Sequence, residues 1–510
     1  MPFAPLKQLA NLGLRVGVTS RIGASDPVES QRQTLHQLLA QAQPTRIGKD
    51  YKFNRIHDYA SYSTQVPLCN YETHWENYWQ PEFPHISGST WHQPISYFAL
   101  SSGTSSGNTK YLPLAPAMLA ANRQTALEVL AWHQQQHPGF NPFGGKILYL
   151  GGATKLTQLD KGIYCGDLSA IASRLRPRWI SGWFAPPFHI SDISNWQERY
   201  AQLLSYLSRP RNIQIISGVP MWIAKLLADV RARDLPGLDG LRLVIHGGTS
   251  IDPYLQQLAA LLPHGCTRRE VYPASEGFIA MDDGATQDWY RQRDLRLNTG
   301  KGIFFEFIPA TQLSTKQPQR YWLGNADVGA SYALVLTTNS GLFSYPLGDL
   351  VQLTSIQPAR IRFMGRTAWH ISQFGEHLEY REIATAIEQV AQKNHMKIAE
   401  WCCGVKLHQD NGHGYGRHHL IIESPHPLVE DLAQVLDAAL CATNADYAHL
   451  RTTPFLPYPI QVTLVQPGAF DRLLTSMGKG GGQSKVPRIV GQPERFAQIC
   501  KQLLTTKPHN

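Results

Sequence analysis

No apolar run in this chain of 510 residues approaches the length of about 20 that a membrane-crossing helix needs. No membrane span is therefore expected. The seven cysteines, Cys69, Cys165, Cys266, Cys402, Cys403, Cys441 and Cys500, are odd in number, scattered and free of any C-x-x-C pair. That argues against a disulfide framework and a thiolate zinc site, and fits a reducing compartment, the cytoplasm. Charged residues are scarce, at 17%, and nowhere gather into a dense Lys/Arg block. The net charge of +9 thus reads as an electropositive cleft for anionic substrates, and no nucleic-acid partner is expected. No segment recurs at solenoid spacing.

What the chain does hold is apolar and aromatic material. Hydrophobic residues make up 43%, with 12 Trp, 21 Tyr and 18 Phe, so the protein is globular, and its length allows two or three domains. Met1 to Ala24 carry Lys7, Arg15 and Arg21 and no acid, a transit-peptide-like composition that an amphipathic helix or loose tail also explains.

Periodicity gives the organisation. Gln31–Ala42 has helical spacing, and Val66–Trp79 (VPLCNYETHWENYW) reads as an extended piece running into a helix. Ile95–Leu100 is strand-like, Ala117–Trp132 helical and Lys146–Tyr149 a strand, a rhythm that continues with Ile213–Ile216, Met221–Ala232, Leu241–Ile245 and Pro253–Leu262. This predicts a mixed α/β domain with its site on loops at strand ends. Between Lys301 and Leu353 short strands take over, a β-rich closing half. A small α/β domain is expected from about Gly365-Arg366 onward, with a helix over Glu382–Lys393, strands over Glu400–His408 and His418–Glu423, and a helix over Val429–Thr443.

Three stretches carry chemistry. Ser101–Lys110 (SSGTSSGNTK) follows a strand with small hydroxyl and glycine residues and ends on a lysine, the makings of an anion cradle. Its glycine and lysine spacing departs from the Walker A pattern, which disfavours a P-loop hydrolase. Val271–Glu276 (VYPASE) places Tyr272 where it could stack on a base and Glu276 where a carboxylate could hold a divalent cation. Tyr345–Asp349 (YPLGD) puts Asp349 after Gly348, placed to accept hydrogen bonds from ribose hydroxyls.

In this order the three stretches resemble the phosphate loop, the Tyr-x-x-Ser-Glu motif and the Tyr-x-x-Gly-Asp motif of the auxin-responsive Gretchen Hagen three acyl acid amido synthetases, a branch of the acyl-adenylate-forming superfamily. VPLCNYE, the FMGRTAWHISQFGEHL stretch and GGGQSKVPR are similar to further family segments, so the likeness runs from about residue 30 to about residue 490. It implies a large N-terminal ATP- and acyl-binding domain (1–365) and a small mobile C-terminal domain (366–510). It also implies ATP and Mg²⁺, a small carboxylic acid, an amine or amino acid acceptor, and release of AMP and pyrophosphate.

Carried over position by position, the resemblance assigns the phosphates to Ser101, Ser102, Gly103, Thr104, Ser105, Gly107 and Lys110. The nucleotide's other contacts fall to Gly248 in the Gly247-Gly248-Thr249 turn, to Val271, Tyr272, Pro273, Ala274, Ser275 and Glu276, and to Asp349 and Arg366. The catalytic residues it implies are Lys110, Glu276 and Lys485, with Glu276 the metal ligand and Lys485 the C-terminal lysine that reaches the nucleotide. His377, also assigned to the nucleotide site in contact with the acceptor or the phosphates, stands where many relatives carry lysine, which leaves the acceptor open. Coenzyme A is the alternative acceptor, and a nucleotide-binding protein without catalysis the alternative of another class. Arg123 is a candidate partner for the acyl carboxylate.

His408, His413, His418 and His419 surround an Asn, Gly and Tyr turn, which reads as a solvated hairpin rather than a metal site. Adjacent Cys402 and Cys403 read as half-buried strand.

Overall fold

Helix α1 (Pro27–Ala42) starts where Asp26 accepts a hydrogen bond from the Val28 amide and proline occupies its first turn. Its Gln31 is fully buried, donating to the carbonyls of Thr299 and Ile303 and accepting from the Phe305 amide. One glutamine thus hydrogen-bonds the helix to a strand 272 to 274 residues away. The computed structural model describes residues 26–101, 109–151, 154–249, 254–284, 293–313, 317–366, 378–394, 398–410, 413–425, 431–476 and 488–505, with single residues and short pieces between. Contacts divide the chain at Thr367 into an amino-terminal and a carboxy-terminal unit.

In the amino-terminal unit, strand β1 (Tyr97–Ser101) pairs antiparallel with β2 (Lys110–Leu114), Ser101 opposite Lys110. The sequence rhythm passed from the glycine stretch straight to a helix. The structure inserts β2 first, a strand that Pro113 hides from pattern reading, and helix α2 (Pro116–Gln136) follows. Strands β3 (Lys146–Leu150), β4 (Thr157–Asp160) and β5 (Ile163–Gly166) come next, and β1, β2, β4 and β5 make a separate sheet in the order β2-β1-β5-β4.

The large sheet starts with β3 and takes in β6 (Phe184–Ala185), β7 (Ile213–Gly218), β8 (Leu243–Gly247), β9 (Thr267–Ala274), β10 (Gly277–Met281) and β11 (Leu295–Leu297). It continues with β12 (Ile303–Pro309), β13 (Tyr321–Trp322), β14 (Ser331–Thr338), β15 (Tyr345–Ile356) and β16 (Ala359–Arg366). Their order is β13-β12-β14-β15-β16-β11-β10-β9-β8-β7-β3-β6. Pairing is parallel from β6 to β9 and antiparallel from β9 onward. The α/β rhythm and the β-rich half are therefore two sides of one sheet, and the β9–β10 hairpin, which carries Ser275 and Glu276 at its tip, is where one becomes the other. Strand β12 (IFFEFIP) is buried at every position but its last, so it shows no alternation. Strand β15 alternates buried and half-buried along most of its length, as a sheet with one wet face should.

The carboxy-terminal unit holds the short pair β17 (His370–Ile371) and β18 (Leu378–Glu379), helix α3 (Tyr380–Lys393), the long hairpin β19 (Glu400–Asp410) and β20 (His413–Glu423), and helix α4 (Leu432–Thr443). Strands β21 (Gln461–Val465) and β22 (Ile489–Val490) and helix α5 (Pro493–Thr505) complete it, the sheet order being β21-β20-β19-β22. Two expectations fail here. His418 and His419 are buried in β20 rather than solvated, and Cys402 and Cys403 are fully rather than half buried. The reason is that helices cover both faces of the hairpin. His419 lies against Phe496 of α5, whereas His418 faces the ring of Tyr447 and pairs with the buried Glu376 carboxylate at 2.9 Å.

Candidate functional site

Strands β15 and β9 are separated by three strands in the sheet order, yet the Tyr272 hydroxyl donates a hydrogen bond to Oδ2 of Asp349. The cause is the brevity of β11. Its three residues pair with β16 only at Leu295–Ile361 and Arg296–Arg360, so beyond Ile361 that side of β16 has no ladder partner among the described residues. Phe363, just beyond that point on β16, has 41% of its surface exposed and meets the Tyr272 ring edge to face at 5.9 Å.

Asp349 is 2% exposed. Gly348 before it has φ of +87°, a turn conformation that glycine adopts at no steric cost, and the β14–β15 pairing is irregular at this point. Arg366 lies opposite Asp349 in the β15–β16 register. Tyr272, Asp349 and the backbone of Arg366 are thus brought together.

On the other side of β9, Gly247 lies opposite Val271 in the parallel ladder. A Cβ at Gly247 would stand 2.2 Å from the Val271 carbonyl oxygen, so only glycine lets the two strands approach this closely. Gly248 follows with φ of +85°. Beside this turn, the hydroxyl of Thr249 is buried and has no hydrogen-bond partner among the described residues. His246, just before it, is fully buried, and its Nε2 faces Arg268 Nη1 at 3.1 Å. Burial, with Arg268 adding to it, holds the His246 pKa well below its ordinary value, so the ring is a neutral acceptor.

Val271 to Ala274 run along β9, and Ser275 and Glu276 form the two-residue hairpin tip. Glu276 is half-buried. Ser101 and Lys110 face one another where β1 and β2 end, and the Lys110 ammonium lies 5.5 Å over the Tyr71 ring. Arg123 is exposed on α2. Ser102, Gly103, Thr104, Ser105, Gly107, His377 and Lys485 lie outside the described residues, as does the side chain of Arg366. Among the described residues no group of three His, Cys, Asp or Glu forms a metal cluster, and no helix is long and apolar enough to cross a membrane.

Sequence reasoning missed the segment that links these parts. Tyr71 accepts a hydrogen bond from the Tyr111 amide of β2 at 2.8 Å, and three residues on His74 accepts one from the Phe343 amide, just ahead of β15, at 3.2 Å. Only the VPLCNYE pattern marked this segment, and it gave no role.

Models of the GH3 family match the chain in three pieces: the N-terminal domain over residues 23–229, the central domain over 297–366 and the C-terminal domain over 381–494. VYPASE falls between the first two. A jasmonoyl–L-amino acid synthetase of Nicotiana attenuata, JAR4, is 20% identical over 91% of this chain and 92% of its own. The indole-3-acetic acid-amido synthetase GH3.3 of Arabidopsis thaliana is 23% identical over 47% of this chain, a match that spans 41% of that relative. Among solved structures, the acyl acid amido synthetase AtGH3.15 in complex with 2,4-DB is similar in fold, with a TM-score of 0.59 and 18% identity over 98% of this chain and 97% of that one.

Proposed function

The chain belongs to the GH3 family, and from that premise we propose that it is an ATP-dependent ligase joining a carboxylic acid to an amine through an acyl-adenylate. The acid's carboxylate attacks the α-phosphorus of ATP and pyrophosphate leaves. An amine, in this reading that of an amino acid, then attacks the activated carbonyl, and AMP leaves as the amide forms. Activation is needed because a free carboxylate is a poor electrophile with a poor leaving group, whereas AMP departs readily. The relatives named for amido synthesis support an amino acid acceptor.

The observation that carries this reading is the hydrogen bond from Tyr272 to Asp349, which joins two of the three motif stretches across the open side of the sheet. It holds the carboxylate in a fixed pose, as recognition of paired ribose hydroxyls requires. The tight Gly247-Gly248 turn and the Thr249 hydroxyl, which has no partner among the described residues, fit a flat nucleobase approaching the backbone closely. Lys110 supplies positive charge at the base of the Ser101–Lys110 stretch, which suits an anion there.

Glu276 is the residue we assign to Mg²⁺, and a half-buried glutamate at a hairpin tip fits a hard, well-hydrated ion. Mg²⁺ would neutralise phosphate charge when bound. Lys485 and the part from 366 onward are assigned to the closing domain, with the preceding residues binding ATP and acid. All seven cysteines are free, which suits the cytoplasm.

The deciding experiment is carboxylate-dependent exchange of labelled pyrophosphate into ATP over a panel of aromatic, indole and fatty acids, with Glu276→Ala and Asp349→Ala as controls. Exchange that requires one acid and disappears in both variants is the expected result. ATP binding with no exchange for any acid in the panel would count against adenylation.

A further inference from the structure

Below the start of β15 lies a hub of polar groups inside the apolar core. Glu306 interrupts the apolar strand β12 and is 0% exposed, and Arg320 pairs with it at 2.7 Å. The Arg320 guanidinium also donates to the Val66 carbonyl at 2.6 Å and to the Ser344 hydroxyl at 2.9 Å. Ser344 Oγ in turn lies 3.0 Å from Glu306 and 2.9 Å from the Tyr62 hydroxyl, which meets Thr337 Oγ1 at 2.7 Å. The Ser344 amide donates to that same Thr337 oxygen, and its carbonyl accepts from the Cys69 amide.

Such a constellation is unusual for a purely structural purpose, because a buried ion pair stabilises little that well-packed apolar residues would not. What it does give is a unique position. Ser344 is not glycine, yet it holds φ of +44°, a conformation costing about 1 kcal/mol that persists only when its surroundings fix it. The next residue opens the Tyr345–Asp349 stretch. Val66 and Cys69 begin the segment that goes on to Tyr71 and His74. Tyr71 holds the Tyr111 amide beside Lys110, and His74 holds the Phe343 amide and faces the Tyr345 ring at 6.1 Å.

We propose that Arg320, with its partner Glu306, is a positioning residue of the nucleotide site: it clamps the Val66–His74 segment to Ser344 and so fixes the base of the Asp349 strand relative to the strand that carries Lys110. The proposal rests on the nucleotide reading given above. It assigns Arg320 no contact with substrate.

The test compares the full-length protein with the double variant Arg320→Met/Glu306→Leu and with Ser344→Gly. The double variant replaces the ion pair by apolar side chains and so keeps the core filled. Ser344→Gly removes the clamped hydroxyl while easing the backbone. Thermal unfolding, amide hydrogen exchange over residues 343–350 and equilibrium ATP binding are measured on all three. The expected result is cooperative unfolding in each, with exchange over 343–350 and the Kd for ATP both raised tenfold or more in the variants. Wild-type exchange and ATP affinity in either folded variant would overturn the clamp. If the unaltered protein binds no ATP, the nucleotide reading falls, and the exchange rates alone decide whether the hub fixes β15.

Discussion

Tyr272 on β9 donates its phenolic hydrogen to Asp349 on β15, across the gap that the three-residue strand β11 leaves in the large sheet. Removing that hydroxyl should take one hydrogen bond from the carboxylate without creating a cavity. Tyr272→Phe is expected to raise KM for ATP about tenfold with a smaller effect on kcat, since a hydrogen bond to a charged group contributes about 1.5 kcal/mol. The ratio of ATP to 2′-deoxy-ATP activity should fall toward one. Steady-state pyrophosphate release with both nucleotides measures this, and an undiminished preference for the ribose hydroxyl would show that Asp349 does not need Tyr272.

A close strand approach makes the second prediction. Because a Cβ at Gly247 would lie 2.2 Å from the backbone oxygen of Val271, Gly247→Ala must push β8 and β9 apart. Overpacking of this kind costs about 1–3 kcal/mol, and here it also displaces the strand that carries Tyr272. The melting temperature and the affinity for ATP should fall together. Gly139→Ala is the control, since a Cβ there meets nothing within 4 Å, and it should change neither. Equal behaviour of the two variants would contradict the crowded-ladder account.

The architecture was legible where local pattern and tertiary environment agree. Helix α1, helix α2 and strands β7 and β8 lie within a few residues of where periodicity put them. The motifs Val271–Glu276 and Tyr345–Asp349 were visible because each sets an aromatic, a proline and an acid within a few residues of one another. What could not be read depends on long-range partners. Nothing local to Arg320 says that its guanidinium reaches Val66 and Ser344, 254 and 24 residues away. Strand β2 was lost to Pro113, and the burial of His418 and His419 came from helices that cover both faces of their hairpin, which a sequence window of a few residues does not contain.

His74 joins the Val66–His74 segment to β15, and its burial makes that joint sensitive to acid. Its Nδ1 lies 3.0 Å from the Asn70 carbonyl, so that nitrogen carries the hydrogen, and its Nε2 accepts from the Phe343 amide. Burial pushes its pKa from the ordinary 6.5 down to about 4. The folded state therefore binds fewer protons than the unfolded one between these values. Stability is greatest above pH 6.5, falls as the pH drops through that window and levels off below about 4. At roughly 1.4 kcal/mol per unit, the single histidine makes a difference of about 3 kcal/mol. His133 and His419, which burial pushes down to about 3, act in the same direction. His74→Gln keeps an acceptor for the Phe343 amide and removes the titration. Urea unfolding midpoints at several pH values between 4 and 7 should then show a shallower slope in the variant by about one proton. An unchanged slope would mean that protonated His74 is accommodated in the fold, with the Phe343 amide finding another acceptor.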